Sequence, residues 1–324
     1  MQAGLHPRML SAGDPEALRA AVRQAADRIA GDVRHTPLWR LPGAALGLDL
    51  AEVWLKLEHL QLGGSFKARG MFNRMRSLPV PAAGVVVASG GNAGIAVATA
   101  ARSLGVRCEV FLPELATAAK RAALAALGAT VNVQGAVYNE ALAACLVRQQ
   151  QTGALLMHAY DQPEVVIGAG TLAAEIEDDV GLPDRVLVSV GGGGLIAGIA
   201  AWCGTRCRVE ALEPDLAPTL HAARLAGEPV DVSVGGLAAD SLGAKRIGAI
   251  AWGLSQRFVA DSHLLADSAI RSAQQRLWRD LRLAVEPAAA LGLAMLWSGA
   301  LVPAPTERVA VVLCGANFDP ASLA

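Results

Sequence analysis

The chain has 324 residues, length for about two domains, and a net charge of −1. Hydrophobic residues make up 53% and charged residues 18%, which excludes a disordered chain and supplies enough apolar surface for a large core. No run of Lys or Arg and only 4% aromatics leave neither the basic surface of a nucleic-acid or anionic-membrane partner nor a base-stacking platform.

Elements follow in chain order. Ala17 to Ile29 carries a helical stripe of Leu18, Val22, Ala25, Ala26 and Ile29, opened by the cap-and-proline pair Asp14-Pro15. Strand-like runs at Val53–Leu57 and Gly84–Ala88 each lead through Gly/Ser-rich residues into helical patterns, the second into an Ala-rich helix reaching Leu104. Cys108–Leu112 reads as a strand, Ala116–Leu127 as a helix, Thr130–Gln134 as a strand and Glu140–Gln150 as a helix. Then come strand Val186–Val190, helix Leu195–Trp202, strand Arg208–Leu212 and a last strand at Arg308–Leu313. Arg271 to Arg282 looks like a solvated helix face. Pro287–Pro305 is apolar enough to raise the question of a membrane helix, but its prolines and Gly299 favour a buried core helix ending near Gly299. Alternation of strands and helices predicts an α/β protein with parallel sheets. No linker separates two domains, so one is expected to be inserted in the other.

The five cysteines are odd in number and form no CxxC, and Cys203 and Cys207 have no partner pair at zinc spacing. Reduced thiols predict a cytoplasmic protein, and Met1 to Pro15 has no apolar core of a secretory signal. The six histidines never cluster at ligand spacing, so no metal is assigned to them.

Four segments could carry chemistry. Gly191-Gly192-Gly193-Gly194 lies between a β-branched strand and a helix, where free N–H groups and the helix N-terminus suit a phosphate. A dinucleotide loop, with Glu210 as the ribose acid, lacks its third glycine, since Ile196 or Ala197 stands there; a plain tight turn is the other alternative. In Gly63–Gly70, Lys67 is one of only four lysines against 24 arginines. An amine, unlike a guanidinium, can lose its proton and form a Schiff base. Ser65 looks like an N-cap that would put Lys67 in a first helical turn, where the dipole disfavours the ammonium; a snorkelling surface lysine is the plain alternative. Ala88 to Gly94 is another strand-to-helix turn, able to hold a carboxylate and to offer the Asn92 amide to a ring oxygen, or merely an ordinary turn. Cys314-Gly315 ends a strand with a thiol that could meet a heteroaromatic nitrogen or simply fill space.

Taken in series, Ser65-Phe66-Lys67 with Arg69-Gly70, Gly91-Asn92-Ala93-Gly94, Ser189-Val190 with four glycines, Val285-Glu286-Pro287-Ala288 and Cys314-Gly315 resemble the fold-type II pyridoxal-phosphate enzymes. His35-Thr36-Pro37-Leu38, Lys56-Leu57-Glu58 and Ser241-Leu242-Gly243-Ala244-Lys245 are similar to the serine/threonine dehydratase branch, over residues 30 to 317. The resemblance implies two open parallel sheets of the tryptophan synthase β type. The large cofactor-binding domain would comprise 1–60 and 165–324, with a small domain, 61–164, inserted. It implies pyridoxal 5′-phosphate as cofactor and elimination of water and ammonia from a β-hydroxy-α-amino acid such as L-serine or L-threonine. Lys67 would bind the cofactor aldehyde and shuttle the α-proton, Phe66 pack on the ring, Asn92 donate to the ring hydroxyl, Gly191 to Gly194 hold the phosphate and Cys314 meet the pyridine nitrogen. Ser89, Gly90, Gly91 and Asn92 would line the substrate carboxylate site. Glu213 and the carbonyl of Ala217 match a cation site, and Thr219 in place of a further carboxylate favours potassium over magnesium. A homodimer is the family's habit.

The chain departs from the pattern in places. Ala93 stands where many relatives have His, as in mammalian-type serine dehydratases. Gly90 replaces the second-face acid serine of the racemases, so racemisation should be poor. The chain ends soon after Cys314, which predicts no regulatory domain. Alternatives are a cysteine synthase-like β-replacement enzyme, a phenylserine or hydroxyaspartate dehydratase, a nicotinamide-dependent dehydrogenase, or a non-catalytic ligand sensor.

Overall fold

The computed structural model describes Leu10 and residues 13–323. Most of Met1 to Pro15, where the leader question falls, lies outside the described residues. Helix α1 (Pro15–Ile29) opens as its sequence dictates: the Asp14 carboxylate accepts from the N–H groups of Glu16 and Ala17, Pro15 is its first residue, and Leu18, Val22, Ala25 and Ile29 are buried.

Strands β1 (Leu38–Pro42) and β2 (Glu52–Lys56) start the larger sheet. The chain then leaves through helix α2 (Lys67–Ser77) and builds a second sheet from β3 (Val85–Ala88), α3 (Asn92–Leu104), β4 (Cys108–Leu112), α4 (Ala118–Ala126), β5 (Thr130–Val133), α5 (Tyr138–Thr152) and β6 (Leu155–Leu156). Helix α6 (Pro163–Val180) carries it back to β7 (Arg185–Ser189), α7 (Gly194–Cys203), β8 (Arg208–Pro214), α8 (Thr219–Ala226), α9 (Ala239–Leu242), α10 (Ala249–Phe258), β9 (Val259–Leu265), α11 (Asp267–Leu281), α12 (Pro287–Trp297) and β10 (Arg308–Val312). The larger sheet has the order β1-β2-β10-β7-β8-β9 and the smaller β5-β4-β3-β6.

The pairings between these strands are parallel, as expected, except that of β1 with β2, which adds an antiparallel edge to the larger sheet. Central strands such as Val85-Val86-Val87-Ala88 are buried at every position, because helices cover both faces of a parallel sheet. The apolar run from Pro287 ends its helix at Trp297, after 11 residues, buried in the larger core. Among the described residues no helix is long and apolar enough to cross a membrane.

Helices α2, α6 and α7 approach one another through glycine. A Cβ on Gly168 would stand 2.7 Å from the Arg69 carbonyl oxygen, one on Gly170 2.6 Å from that of Gly198, and one on Gly198 2.4 Å from that of Val166. No side chain fits at these crossings. Beside them lies a buried ionic cluster. The Arg69 guanidinium donates to both oxygens of Glu58 (2.8 and 2.7 Å) and of Glu175 (2.6 and 2.8 Å), and Lys56 Nζ donates to Glu175 and to the Thr36 carbonyl (2.7 and 2.8 Å). It ties the end of β2 to α2 and α6.

Candidate active site

Lys67 is the first residue of α2, the position expected for it. Its approach differs from the expectation. Ser65 is extended and bridges by its backbone to Gly315, while Phe66 already turns into the helix (φ −51°, ψ −20°). The Ser65 hydroxyl is therefore carried away from the helix N–H groups and caps nothing; it is buried and has no hydrogen-bond partner. Lys67 Nζ donates to the Ala159 carbonyl at 2.7 Å and lies 5.0 Å from the centre of the Phe66 ring. What surface it keeps faces a cavity. Burial lowers the pKa of the amine to about 8, against the opposing pull of Cys314 and Glu286.

The cavity is lined by Phe66, Lys67, Asn92, Glu286, Cys314 and all of Gly191 to Gly194. The glycines form the turn from β7 into α7 and so expose unpaired N–H groups at a helix N-terminus. Gly193 has φ +87°, and a Cβ there would meet Ala251 Cβ at 2.4 Å; one on Gly192 would meet the Tyr160 ring at 2.3 Å. Tyr160 thus covers the bend from the small-sheet side, a neighbour that nothing in its sequence context announced.

Asn92 starts α3, with Gly91 as its cap residue. Its amide is oriented without ambiguity: Oδ1 accepts from Asn317 Nδ2 at 2.7 Å, and Nδ2 donates to both Glu286 oxygens at 2.9 Å. Glu286 was legible only as part of a motif. Burial raises its pKa to about 7, opposed by the Asn92 hydrogen bonds and by Lys67. Burial also holds the Cys314 thiol well above its ordinary range, so it stays protonated. Ser89 and Gly90 share the turn with Gly91 and Asn92. These last two residues, with Glu286, Lys120 and Asp240, border a vestibule outside the cavity. Lys120 Nζ pairs with Asp240 at 3.1 Å across its mouth.

The donor set suits a pyridoxal-phosphate molecule. A side-chain-free bend of N–H groups could take the phosphate, an amine lowered in pKa faces the cavity, an amide lines it, and a neutral thiol lines it too. The residues expected to bind a cation are elsewhere. The Glu213 carboxylate accepts from Thr219 Oγ1, Leu220 N, His221 N and Ser262 Oγ, and the Ala217 carbonyl accepts from Thr219 N. Both groups already have protein donors and serve to cap α8. Among the described residues no cluster of three or more His, Cys, Asp or Glu is placed to hold a metal.

Comparison with known proteins agrees with this geometry. The family model described as "Pyridoxal-phosphate dependent enzyme" matches residues 29–315. The L-threonine dehydratase biosynthetic IlvA of Escherichia coli (strain K12) is 36% identical over 308 residues, covering 93% of this chain and 58% of that protein. The chain thus spans under two thirds of that relative's length. The phenylserine dehydratase of Ralstonia pickettii is 33% identical over 305 residues, 90% of each chain. Among solved structures, maize serine racemase superposes with a TM-score of 0.88 at 29% identity, covering 94% of this chain and 95% of that one. A threonine deaminase from T.th. does so with 0.85 at 31%, covering 93% and 98%.

Proposed function

The chain belongs to the pyridoxal-phosphate dependent enzyme family, and from that membership we propose that it converts a β-hydroxy-α-amino acid such as L-serine or L-threonine into a 2-oxo acid and ammonia. The observation that carries this reading is the convergence of Lys67, Asn92, Cys314 and the four glycines on one cavity. Dehydratases among the similar proteins point to the reaction class.

When bound, pyridoxal phosphate supplies an aldehyde for amines and a ring that withdraws electrons from Cα. The residues do the rest. Gly191 to Gly194 hold the phosphate, and Phe66 sets one wall. Lys67, whose pKa near 8 makes the neutral amine accessible at working pH, takes the proton from Cα. Asn92 offers an N–H to the ring oxygen. Cys314, kept neutral by burial, offers the ring nitrogen a weak donor in place of a full positive charge, which favours prompt loss of the β-hydroxyl. The loop Ser89-Gly90-Gly91 receives the substrate carboxylate, and Gly90 brings no acid to the opposite face, so elimination is favoured over racemisation. We assign no step to potassium, since the oxygens of Glu213 and Ala217 are engaged. We take residues 61–164 as the inserted small domain, the cytosol as the compartment, in keeping with five free cysteines, and a homodimer as the assembly, which light scattering checks.

The experiment is direct. The purified protein is reduced with borohydride in the presence of pyridoxal phosphate and its peptides are weighed; the pyridoxyl mass is expected on Lys67. L-serine, L-threonine and phenylserine are then assayed for 2-oxo acid. An adduct on a different lysine removes the site assignment, and no oxo acid from any of the three removes the reaction.

A further inference from the structure

Glu286 is a carboxyl group buried at the cavity wall, and the roles above leave it without one. Three observations fix it in place. Both its oxygens lie 2.9 Å from Asn92 Nδ2. It accepts in addition from the backbone N–H of Asn317, whose side chain holds Asn92 Oδ1 from the other side. A Cβ on Gly315 would come within 2.5 Å of Glu286 Oε1, so the residue after Cys314 has to be glycine for the carboxyl group to lie where it does. Glu286, Asn92 and Asn317 close a ring of hydrogen bonds. Asn317 Nδ2 also donates to the Gly63 carbonyl at 2.7 Å, which anchors the ring to the loop before Lys67.

The consequence is geometric. Two oxygens equidistant from one nitrogen share one of its N–H bonds, which leaves the second free to point into the cavity. With Oδ1 occupied by Asn317, the amide cannot flip to present its oxygen instead. Resting on the cofactor reading above, we infer that Glu286 is a positioning residue: through Asn92 it fixes the N–H offered to the ring oxygen of bound pyridoxal phosphate.

The brace depends on charge. An ionised carboxylate accepts on both oxygens, whereas a carboxylic acid loses one acceptor to its own proton. Burial sets the carboxyl group to titrate near 7. Lys67 opposes that rise and Asp240 adds to it, while Cys314 stays neutral and Lys120, Arg271 and Asp319 face Glu286 from across the vestibule. The brace therefore tightens as pH rises through neutrality and loosens as it falls.

The test uses full-length protein loaded with pyridoxal phosphate, and reads its visible absorption against pH and its cofactor dissociation constant. The wild-type spectrum should contain a component with a midpoint near 7, and this component should be missing in E286Q. E286Q keeps one acceptor for Asn92, as the protonated acid does, and should bind the cofactor at every pH about as the wild type does below neutrality, whereas E286A and N92A should each weaken binding about tenfold, the effect of one charge-assisted hydrogen bond. In the N92A background, E286A should add less than about twofold, because a residue that acts through Asn92 has nothing left to act on. N317A, which leaves Glu286 untouched, should weaken binding while retaining the pH component. An unchanged pH component in E286Q, or losses that multiply in the N92A/E286A double variant, would overturn the inference. Borohydride trapping on Lys67 in the same samples separates the two layers: adduct without coupling sinks the brace alone, and no adduct in the wild type sinks the cofactor reading and the brace with it.

Discussion

Lys67 combines two properties that a single substitution separates from everything else in the cavity: it is the amine, and its burial lowers the pKa to about 8. Lys67→Ala removes base and carrier together, so turnover with L-serine or L-threonine should fall by several orders of magnitude in a coupled oxo-acid assay. The pH dependence has a definite sign. Only the neutral amine attacks an aldehyde, so the rate at which cofactor-free protein takes up pyridoxal phosphate should climb as pH rises through about 8 and level off above it. Stopped-flow absorbance reads this directly, and a rate that falls over the same range contradicts it. At this scale the site was largely legible. Phe66, Lys67, Asn92, Cys314 and the glycines do line one cavity. The exception is Ser65, where a hydroxyl before a helix suggested a cap but backbone pairing with Gly315 carries the side chain away. Glu286, Asn317 and Tyr160 gave no warning of their contacts, because a lone Glu, Asn or Tyr has no local pattern and meets its partners only through the fold.

Elements tell a similar story with a different limit. Strands such as Val85–Ala88 were readable because parallel strands covered on both faces are continuous apolar runs. β9 sets three polar residues between apolar pairs at a sheet edge, β6 is two residues long, and neither stands out from its sequence. Helix α6 was missed for an informative reason. Val165-Val166-Ile167-Gly168-Ala169-Gly170 has the β-branched and glycine content of a strand and a turn, yet those glycines are there for helix crossings. Next to them, Arg69 holds the buried Glu58 and the part-buried Glu175, with Lys56 assisting at the second. Arg69→Met should leave the buried Glu58 without its cationic partner, with only the Thr36 hydroxyl donating to it, and cost about 3–5 kcal/mol in urea unfolding, the usual result of removing one partner from a buried ionic group. A change below about 1 kcal/mol would mean that the cluster stays solvated.

For the whole molecule, the two sheets have separate apolar cores, and the cavity is walled by residues from both sides of the chain's excursion. A ligand held by the folded protein alone stabilises it by about 2.7 kcal/mol at a hundredfold excess over its dissociation constant. Pyridoxal phosphate should therefore raise the melting temperature in a concentration-dependent way, and Lys67→Ala should blunt the response, as differential scanning fluorimetry would record. The Lys120–Asp240 pair also spans the vestibule, but Asp240 is largely exposed, so Asp240→Ala should shift stability by less than about 0.5 kcal/mol. The outgoing and returning connections between the sheets are α2 and α6, and these two helices are pressed together at Gly70 and Gly168. Lys67 is the first residue of α2, so the reacting nitrogen rides on the same crossing, and a side chain at Gly70 or Gly168 that prised these helices apart would displace the amine without touching the cavity wall.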